Sequence, residues 1–376
     1  MIFEPRYIRF LGACQEVSRR RDRVAKPIIE GELLAEVSAS APNDALISHI
    51  MAEALLRRID RTLVESKNIY LQQFDVSQID LFYLMGRAYP QVPASHRIAN
   101  HFLAHELRRH RRAVLLEIGV GKGVQLAALL DRLAQDPGEL QALRLATLDP
   151  SEDNLADSAR TLRGKAVPFE LTVEPVRRLV EQCTLADWTA IRGPLDEPLV
   201  INSAYSLHHT VHRPGDVALR TTILRQLASM APRLFTLTEP SSNHDTEHLA
   251  KRFHACWEHF ATVFDLIDEA DLEPGARFVI KEKFFGREIR DIFGTSDYFR
   301  CERHEPYESW LLRFAKAGFV PYEPIAVPIE LPAYCTADVS PGLVRLGYRD
   351  LALIAVFAYR SDGERAAPTA EGTSDE

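Results

Sequence analysis

Long apolar runs are missing from the 376-residue sequence: no stretch of about 18 apolar residues occurs, so no membrane-spanning helix is expected. A secretory signal is missing as well. Glu4 and Arg6 stand where its apolar core would begin, and the chain is expected to stay in the cytoplasm. Cysteine is sparse. Cys14, Cys183, Cys256, Cys301 and Cys335 have no close pair among them, which argues against a disulfide framework or a thiolate zinc site and for free thiols. Positive charge is in deficit, with 45 Lys and Arg against 53 Asp and Glu for a net charge of -8. Phosphate contacts need clustered cations, so bulk nucleic-acid binding is not expected. Also absent are G-x-x-x-x-G-K-[ST], H-E-x-x-H and G-x-S-x-G, the signatures of a P-loop, a zinc protease and a nucleophile elbow, and there is no internal repeat.

What is present is globular: 46% hydrophobic and 26% charged residues, enough for one large domain or two ordinary ones. Residues 1–110 read as a helical region. Within it, Ile47, Ile50, Met51, Ala54, Leu55 and Ile59 recur at helical spacing between Ala45 and Val64, with Asn43 or Asp44 as the expected N-cap. A later helix, Ala94 to His110, ends in the basic run Arg108 to Arg112, suited to the negative end of a helix dipole.

From Ala113 strands alternate with helices, the pattern of a doubly wound α/β sheet covered on both faces. The expected strands are Ala113 to Ile118, Leu143 to Leu148, Phe169 to Val173, Pro198 to Asn202, Leu234 to Glu239, Val320 to Ile329 and Leu351 to Tyr359, with a crossover helix from Gln125 to Leu133. An insertion of about 243–315 follows the fifth strand. Its segment Glu247 to Ile267 carries an aromatic stripe that reads first as core packing and second as a lid over a ligand crevice. The core spans 111–360, and the polar tail 361–376 is expected to be disordered.

The sharpest motif is Leu115-Leu116-Glu117-Ile118-Gly119-Val120-Gly121-Lys122-Gly123, an apolar strand running into alternating glycines. Its third glycine comes one residue too early for a dinucleotide fingerprint. Glu117 suits the cationic amino group of a methionine moiety, and Asp149, ending the next strand, suits ribose hydroxyls; S-adenosylmethionine fits both. The plainer alternative is that Glu117 and Asp149 cap neighbouring helices. At later strand ends, Asn202 is expected to contact the ligand and His208 to be a general base. Glu239, Asn243 and His244 would handle substrate, unless Glu239 only ties down backbone NH groups. His208, His209, His212, His244 and His248, and His105-Glu106 with His110, raise a metal question. Adjacent loop histidines tend to diverge, so no metal is expected.

The linear order of Val114-Leu115-Leu116-Glu117-Ile118, Gly121-Lys122-Gly123-Val124-Gln125, Val200-Ile201-Asn202-Ser203, Leu207-His208, Glu239, Asn243-His244, Gly286-Arg287-Glu288-Ile289, Glu302-Arg303-His304-Glu305, Trp310 and Ala317-Gly318-Phe319 resembles the GRAS family, especially its bacterial members, from about residue 45 to about residue 360. The resemblance implies a Rossmann-like methyltransferase sheet with a helical cap formed by the N-terminal region and the insertion after the fifth strand, Arg287 and His304 being candidate cap or substrate residues. Plant members act mainly as transcriptional regulators and interaction partners, and they depart from the cofactor pattern in the glycine loop. This sequence keeps Glu117, Gly119, Gly121, Gly123 and Asp149 together. The expectation is therefore a cytoplasmic S-adenosylmethionine-dependent methyltransferase, a transferase acting on a small polar metabolite with an amine or hydroxyl acceptor. Catalysis would fall to His208, Glu239 and His244, the partner would be a small-molecule substrate, and a homodimer is a candidate assembly. The alternative is a non-catalytic ligand-binding or regulatory scaffold.

Overall fold

The computed structural model describes residues 5–33, 37–60, 84–210, 218–297 and 299–362. Its N-terminal region is helical, with α1 (Pro5–Ser18), α2 (Asp22–Leu33), α3 (Asn43–Ile59) and α4 (Gln91–Leu107). Strands and helices then alternate: β1 (Arg112–Ile118), α5 (Val124–Gln135), β2 (Ala142–Asp149), α6 (Glu152–Arg163), β3 (Glu170–Arg177), α7 (Leu185–Arg192), β4 (Leu199–Ala204), α8 (Leu219–Ser229) and β5 (Leu234–Pro240). The insertion supplies α9 (Leu249–Asp268), α10 (Pro274–Val279), a π-helical turn and α11 (Gly286–Gly294). The chain returns through α12 (Tyr307–Ala317), β6 (Phe319–Pro321), β7 (Cys335–Ser340), β8 (Leu343–Tyr348) and β9 (Leu351–Ser361).

The sheet runs β3-β2-β1-β4-β5-β9-β8-β7, with β6 also on β9. Strands β1 to β5 are mutually parallel, and β9 enters antiparallel to β5. The α/β reading holds, as a mixed and mostly parallel sheet. Strand order reverses between β1 and β4, which puts the carboxyl ends of β1, β4 and β5 at the crevice position of such sheets.

Alternation along β1 explains both layers. Val114, Leu116 and Ile118 point into one core with Trp188, Leu224 and Trp310; Leu115 points into the other with Leu103, Leu129 and the insertion aromatics. Helix α4 crosses the second face, packing on β4, β5 and β9. Helices α1, α2, α3, α9 and α11 pack on one another beside it. In α9, Phe253, Trp257, Phe260, Val263, Phe264 and Ile267 are all buried, so the aromatic stripe is core.

Several expectations are revised. The strand expected from Val320 to Ile329 is only β6, because Pro321, Pro324 and Pro328 offer no NH groups to a ladder. Hairpin β7–β8 was unforeseen; β7 is an exposed edge whose alternating Cys335, Ala337 and Val339 are too short a run and too exposed to mark a core strand. Helix α3 is capped at Pro42 with no side-chain bond. Asn43 instead reaches Asp265 and Asp268 on α9, and Asp44 pairs with Arg6. Four residues of the basic run after α4 pair within the molecule: Arg108 with Asp136, Arg109 with Glu323, His110 with Glu106 and Arg112 with Glu197. Residues 61–64 of the expected first helix, His212 and the tail from residue 363 lie outside the described residues. No helix among the described residues is long and apolar enough to cross a membrane.

Phe253 packs at 5.1 Å from Tyr7 and 5.5 Å from Phe10, joining α9 to α1. Phe253→Ala is expected to lower the unfolding free energy by about 3–5 kcal/mol. Leu195→Ser, at a side chain 85% exposed, should change it by less than about 0.5 kcal/mol in the same denaturant titration.

Candidate functional site

The sheet register lines up Thr147 on β2, Glu117 on β1, Asn202 on β4 and Thr236 on β5, a polar row across the buried face. Asn202 donates from Nδ2 to both Glu117 oxygens, at 3.0 and 2.8 Å, and its Oδ1 accepts from Thr236 Oγ1 at 2.6 Å. Glu117 is 3% exposed. Burial pushes its carboxyl up to about 8 despite the Asn202 bonds, so it is largely protonated near neutrality. An uncharged acid already held by an amide is not the anion expected to bind an amino group.

The glycine loop is also occupied by its own chain. Gly119 has φ +79°, and a Cβ there would stand 2.2 Å from Ser206 Oγ and 2.5 Å from Ser206 Cβ. Gly123, at φ +70°, would meet Ser158 Cβ on α6 at 3.0 Å, whereas Gly121 faces open space. The first and last glycines of the motif therefore admit Ser206 and α6. Asp149 Oδ2 accepts from the Gly121 NH at 3.0 Å, and its Oδ1 accepts from the Ser151 NH at 2.8 Å and from the Asn154 amide at 3.4 Å. It ties the loop to the start of α6, the plainer of its two expected roles. In this arrangement both Glu117 oxygens are taken by Asn202 and Ser206 stands against the first glycine, so neither is open to S-adenosylmethionine.

One turn beyond, the chain builds a buried cluster of imidazoles and carboxylates. A 3-10 turn at Leu207–His209 follows β4, and Glu239 at the end of β5 receives the Leu207 NH at 2.8 Å and His208 Nδ1 at 2.5 Å. On its other side, His208 Nε2 lies 3.4 Å from Glu302 Oε2. Glu302 is also met by His209 Nε2 at 3.1 Å and His304 Nε2 at 3.0 Å. His304 Nδ1 stands 2.9 Å from His244 Nδ1, and His244 Nε2 stands 2.8 Å from Ser242 Oγ. The ring of His244 stacks on Phe260 of α9.

Burial pulls His208 down, but the Glu239 and Glu302 carboxylates outweigh it and raise it to about 10. Burial likewise opposes ionisation of Glu302, but the surrounding imidazoles hold it well below the usual carboxylate range. Burial lowers His304 to about 4 in spite of Glu302, and burial with the neighbouring His304 holds His244 well below the usual imidazole range. His208 is thus a charged donor between two acids and not a free general base near neutrality. Asn243 is exposed in a groove with Ser242 and Tyr307, and the Arg287 guanidinium lies 5.5 Å over the Phe284 ring.

The segment that carries Glu302 is fixed on every side. Asp291 of α11 accepts from the Cys301 and Glu302 NH groups at 2.8 and 2.7 Å. Arg300 donates to the carbonyls of His244 and Glu302 at 2.6 and 2.8 Å, and Arg220 of α8 bonds the His208 carbonyl at 2.9 Å and Glu305 at 2.9 Å. Glu302, His209 and Asp291 were not singled out for this site from the sequence. Only Glu302 had a signal there, its place in the Glu302-Arg303-His304-Glu305 run. Adjacent histidines were expected to diverge; the 3-10 turn instead sends both His208 and His209 to Glu302.

The model of the GRAS domain family matches residues 9–326. The chain belongs to this family. Among curated relatives of this GRAS chain, DELLA protein SLR1 of Oryza sativa subsp. indica is 25% identical over 390 residues, covering 94% of this chain and 61% of SLR1. DELLA protein GAI of Arabidopsis thaliana is 26% identical, covering 94% of this chain and 68% of GAI. The chain spans about three fifths of the length of the first DELLA relatives it matches. The crystal structure of SCL7 in Oryza sativa shares the fold at TM-score 0.71 and 20% identity, covering 95% of this chain and all of that one.

These relatives overturn the expectation of a methyltransferase, and of an enzyme. They are named as DELLA proteins and not as transferases. Methyltransferase structures such as CalH overlay only at TM-score 0.39, too loosely to carry an argument about function.

Two variants test the site geometry. Gly119→Ala is expected to destabilise the GRAS chain by about 1–3 kcal/mol, from overpacking on Ser206 and a left-handed backbone. Adding Ser206→Gly should recover part of that loss in a double-mutant cycle; no coupling would show that Ser206 is not what demands the glycine. Folding raises the Glu117 pKa, so its stabilising contribution is complete below the ordinary glutamate range and is lost as pH rises to about 8. Wild type should therefore lose stability relative to Glu117→Gln between pH about 5 and about 8. Parallel stability curves would mean that Glu117 is ionised throughout.

Proposed function

We propose that this GRAS chain is a non-catalytic regulatory scaffold that acts by binding a protein partner. The observation that carries this reading is the commitment of the strand-end groups to one another: Glu117 to Asn202, Asp149 to the glycine loop, and His208 to Glu239 and Glu302. A catalytic crevice leaves acceptors and donors aimed at a substrate, whereas these are aimed at protein. Family membership supports the same reading, since the resemblance to plant members implies a regulatory role.

In this proposal α1, α2 and α3, with α9 and α11, form a helical cap whose outer surface meets the partner. A groove of about 1070 Å³ opens between these helices and the end of β5, lined by Tyr7, Ile8 and Leu11 of α1, His254 and Glu258 of α9, Asn243 and Arg345. Ile8 is an exposed apolar residue on its rim. A reducing compartment such as the cytoplasm belongs to the same proposal, and the five free cysteines suit it.

Turnover decides between scaffold and enzyme. The full chain, incubated with S-adenosylmethionine and a fractionated metabolite pool, is expected to release no S-adenosylhomocysteine above a protein-free control. Sustained release proportional to protein concentration would refute the scaffold reading, whereas binding without consumption agrees with it.

A further inference from the structure

The imidazole and carboxylate cluster under the 300–305 segment has the composition of a metal site. His208, Glu302 and His304 each bring one ligand atom into a space where all three lie within 4.8 Å of one another, and all are buried. From Glu302 Oε2, His208 Nε2 stands at 3.4 Å and His304 Nε2 at 3.0 Å. Ligand atoms around a tetrahedral zinc ion with bonds of about 2.0–2.1 Å stand about 3.3 Å apart. The other carboxylate oxygen, Oε1, has His209 Nε2 at 3.1 Å, and His209 clusters separately with Cys301 and Glu302.

The surroundings match what ligating imidazoles need. A ligand histidine bonds the metal with one nitrogen and donates from the other to an acceptor that fixes its tautomer. Here His208 turns Nε2 towards Glu302 and holds Nδ1 at 2.5 Å from Glu239; His304 turns Nε2 towards Glu302 and holds Nδ1 at 2.9 Å from His244 Nδ1. Glu239 and Glu302 are both 0% exposed, and a divalent cation would balance their two charges. Glu302 is itself positioned by Asp291, through the backbone NH groups of Cys301 and Glu302.

We propose that this GRAS chain binds one zinc-class divalent cation through His208 Nε2, His304 Nε2 and the Glu302 carboxylate, with Glu239 as the outer carboxylate on His208. The ion would join the turn after β4 to the 300–305 segment from the insertion. All three ligand side chains are buried, which suits a structural role. The inference does not depend on the identity of the partner or on the scaffold reading.

The test uses the tag-free full chain, stripped with a chelator, reloaded with zinc and passed through gel filtration before elemental analysis. One zinc per chain is expected to remain with wild type and to be lost from Glu302→Gln and His304→Ala, with folding checked by circular dichroism. Glu239→Gln, which leaves every ligand in place, should weaken zinc binding by about 10–100-fold. Loading with cobalt(II) reads coordination in wild type alone and does not rely on any variant folding: intense visible d–d bands of a four-coordinate ion are expected. Two results would overturn the proposal: wild type that retains no zinc and gives no such bands, or folded Glu302→Gln and His304→Ala chains that retain zinc undiminished.

Discussion

The carboxylate of Glu302 is fully buried, and the surrounding architecture keeps it charged. An ionised carboxylate loses several kcal/mol of hydration on leaving water unless polar partners replace it. Three imidazoles supply that replacement, from His208, His209 and His304. Satisfying them draws in a second ring of groups. Glu239 holds His208, His244 holds His304, and Arg220 and Arg300 bond the carbonyls of His208, His244 and Glu302. The ends of β4 and β5, helix α8, helix α11 and the 300–305 segment are therefore positioned by one another. None could shift far without exposing a charge to an apolar interior.

Much of this was legible along the chain and little of it across the chain. Period-two apolar runs gave β1 to β5 to within a few residues, and the aromatic spacing of α9 gave a buried helix. Residue types at strand ends also survive as observations: Glu117, Asp149, Asn202, His208, Glu239 and His244 do stand at or just beyond the carboxyl ends of β1, β2, β4 and β5. What a local pattern cannot carry is the partner. Asn202 meets Glu117 across 85 residues, and His209 meets Glu302 across 93. The same acid at the same strand end holds a ligand in one protein and a neighbouring amide in another. The proline-spaced stretch after β6 misled for a related reason: its apolar side chains suit a strand, but Pro321, Pro324 and Pro328 remove the NH groups that a ladder requires.

The glycine loop shows how a cofactor-like signature can arise from packing. A strand-to-helix turn needs a left-handed residue or two, and close approach of any atom needs a missing Cβ. Neither condition specifies a nucleotide. At Gly119 the approaching atom is Ser206 Oγ, and at Gly123 it is Ser158 Cβ on α6. Asp149, the acid that a ribose would have used, receives the loop NH that an anion would have used. The loop keeps its geometry because protein groups stand in the positions that a ligand would fill. A glycine loop between strand and helix therefore does not by itself decide whether a ligand is bound.

The attachment of the 299–306 segment follows from the same logic. Its backbone touches the sheet through one isolated bridge, Ser241 with Glu305, and through the His304 carbonyl, which accepts from the NH groups of His244 and Asp245. Such sparse pairing sets register weakly, because a one-residue slip would cost few bonds. Side-chain charge supplies the missing specificity. Slipping the segment by one residue would put Arg303 in place of Glu302 among the imidazoles and Pro306 in place of Glu305 beside Arg220, leaving buried cations without their carboxylates. An apolar segment of the same volume could be as stable, but nothing in it would distinguish one register from the next. The cluster's charges are thus explained by uniqueness of placement more than by net stability, and that uniqueness keeps the inserted helices α9 and α11 fixed on the sheet.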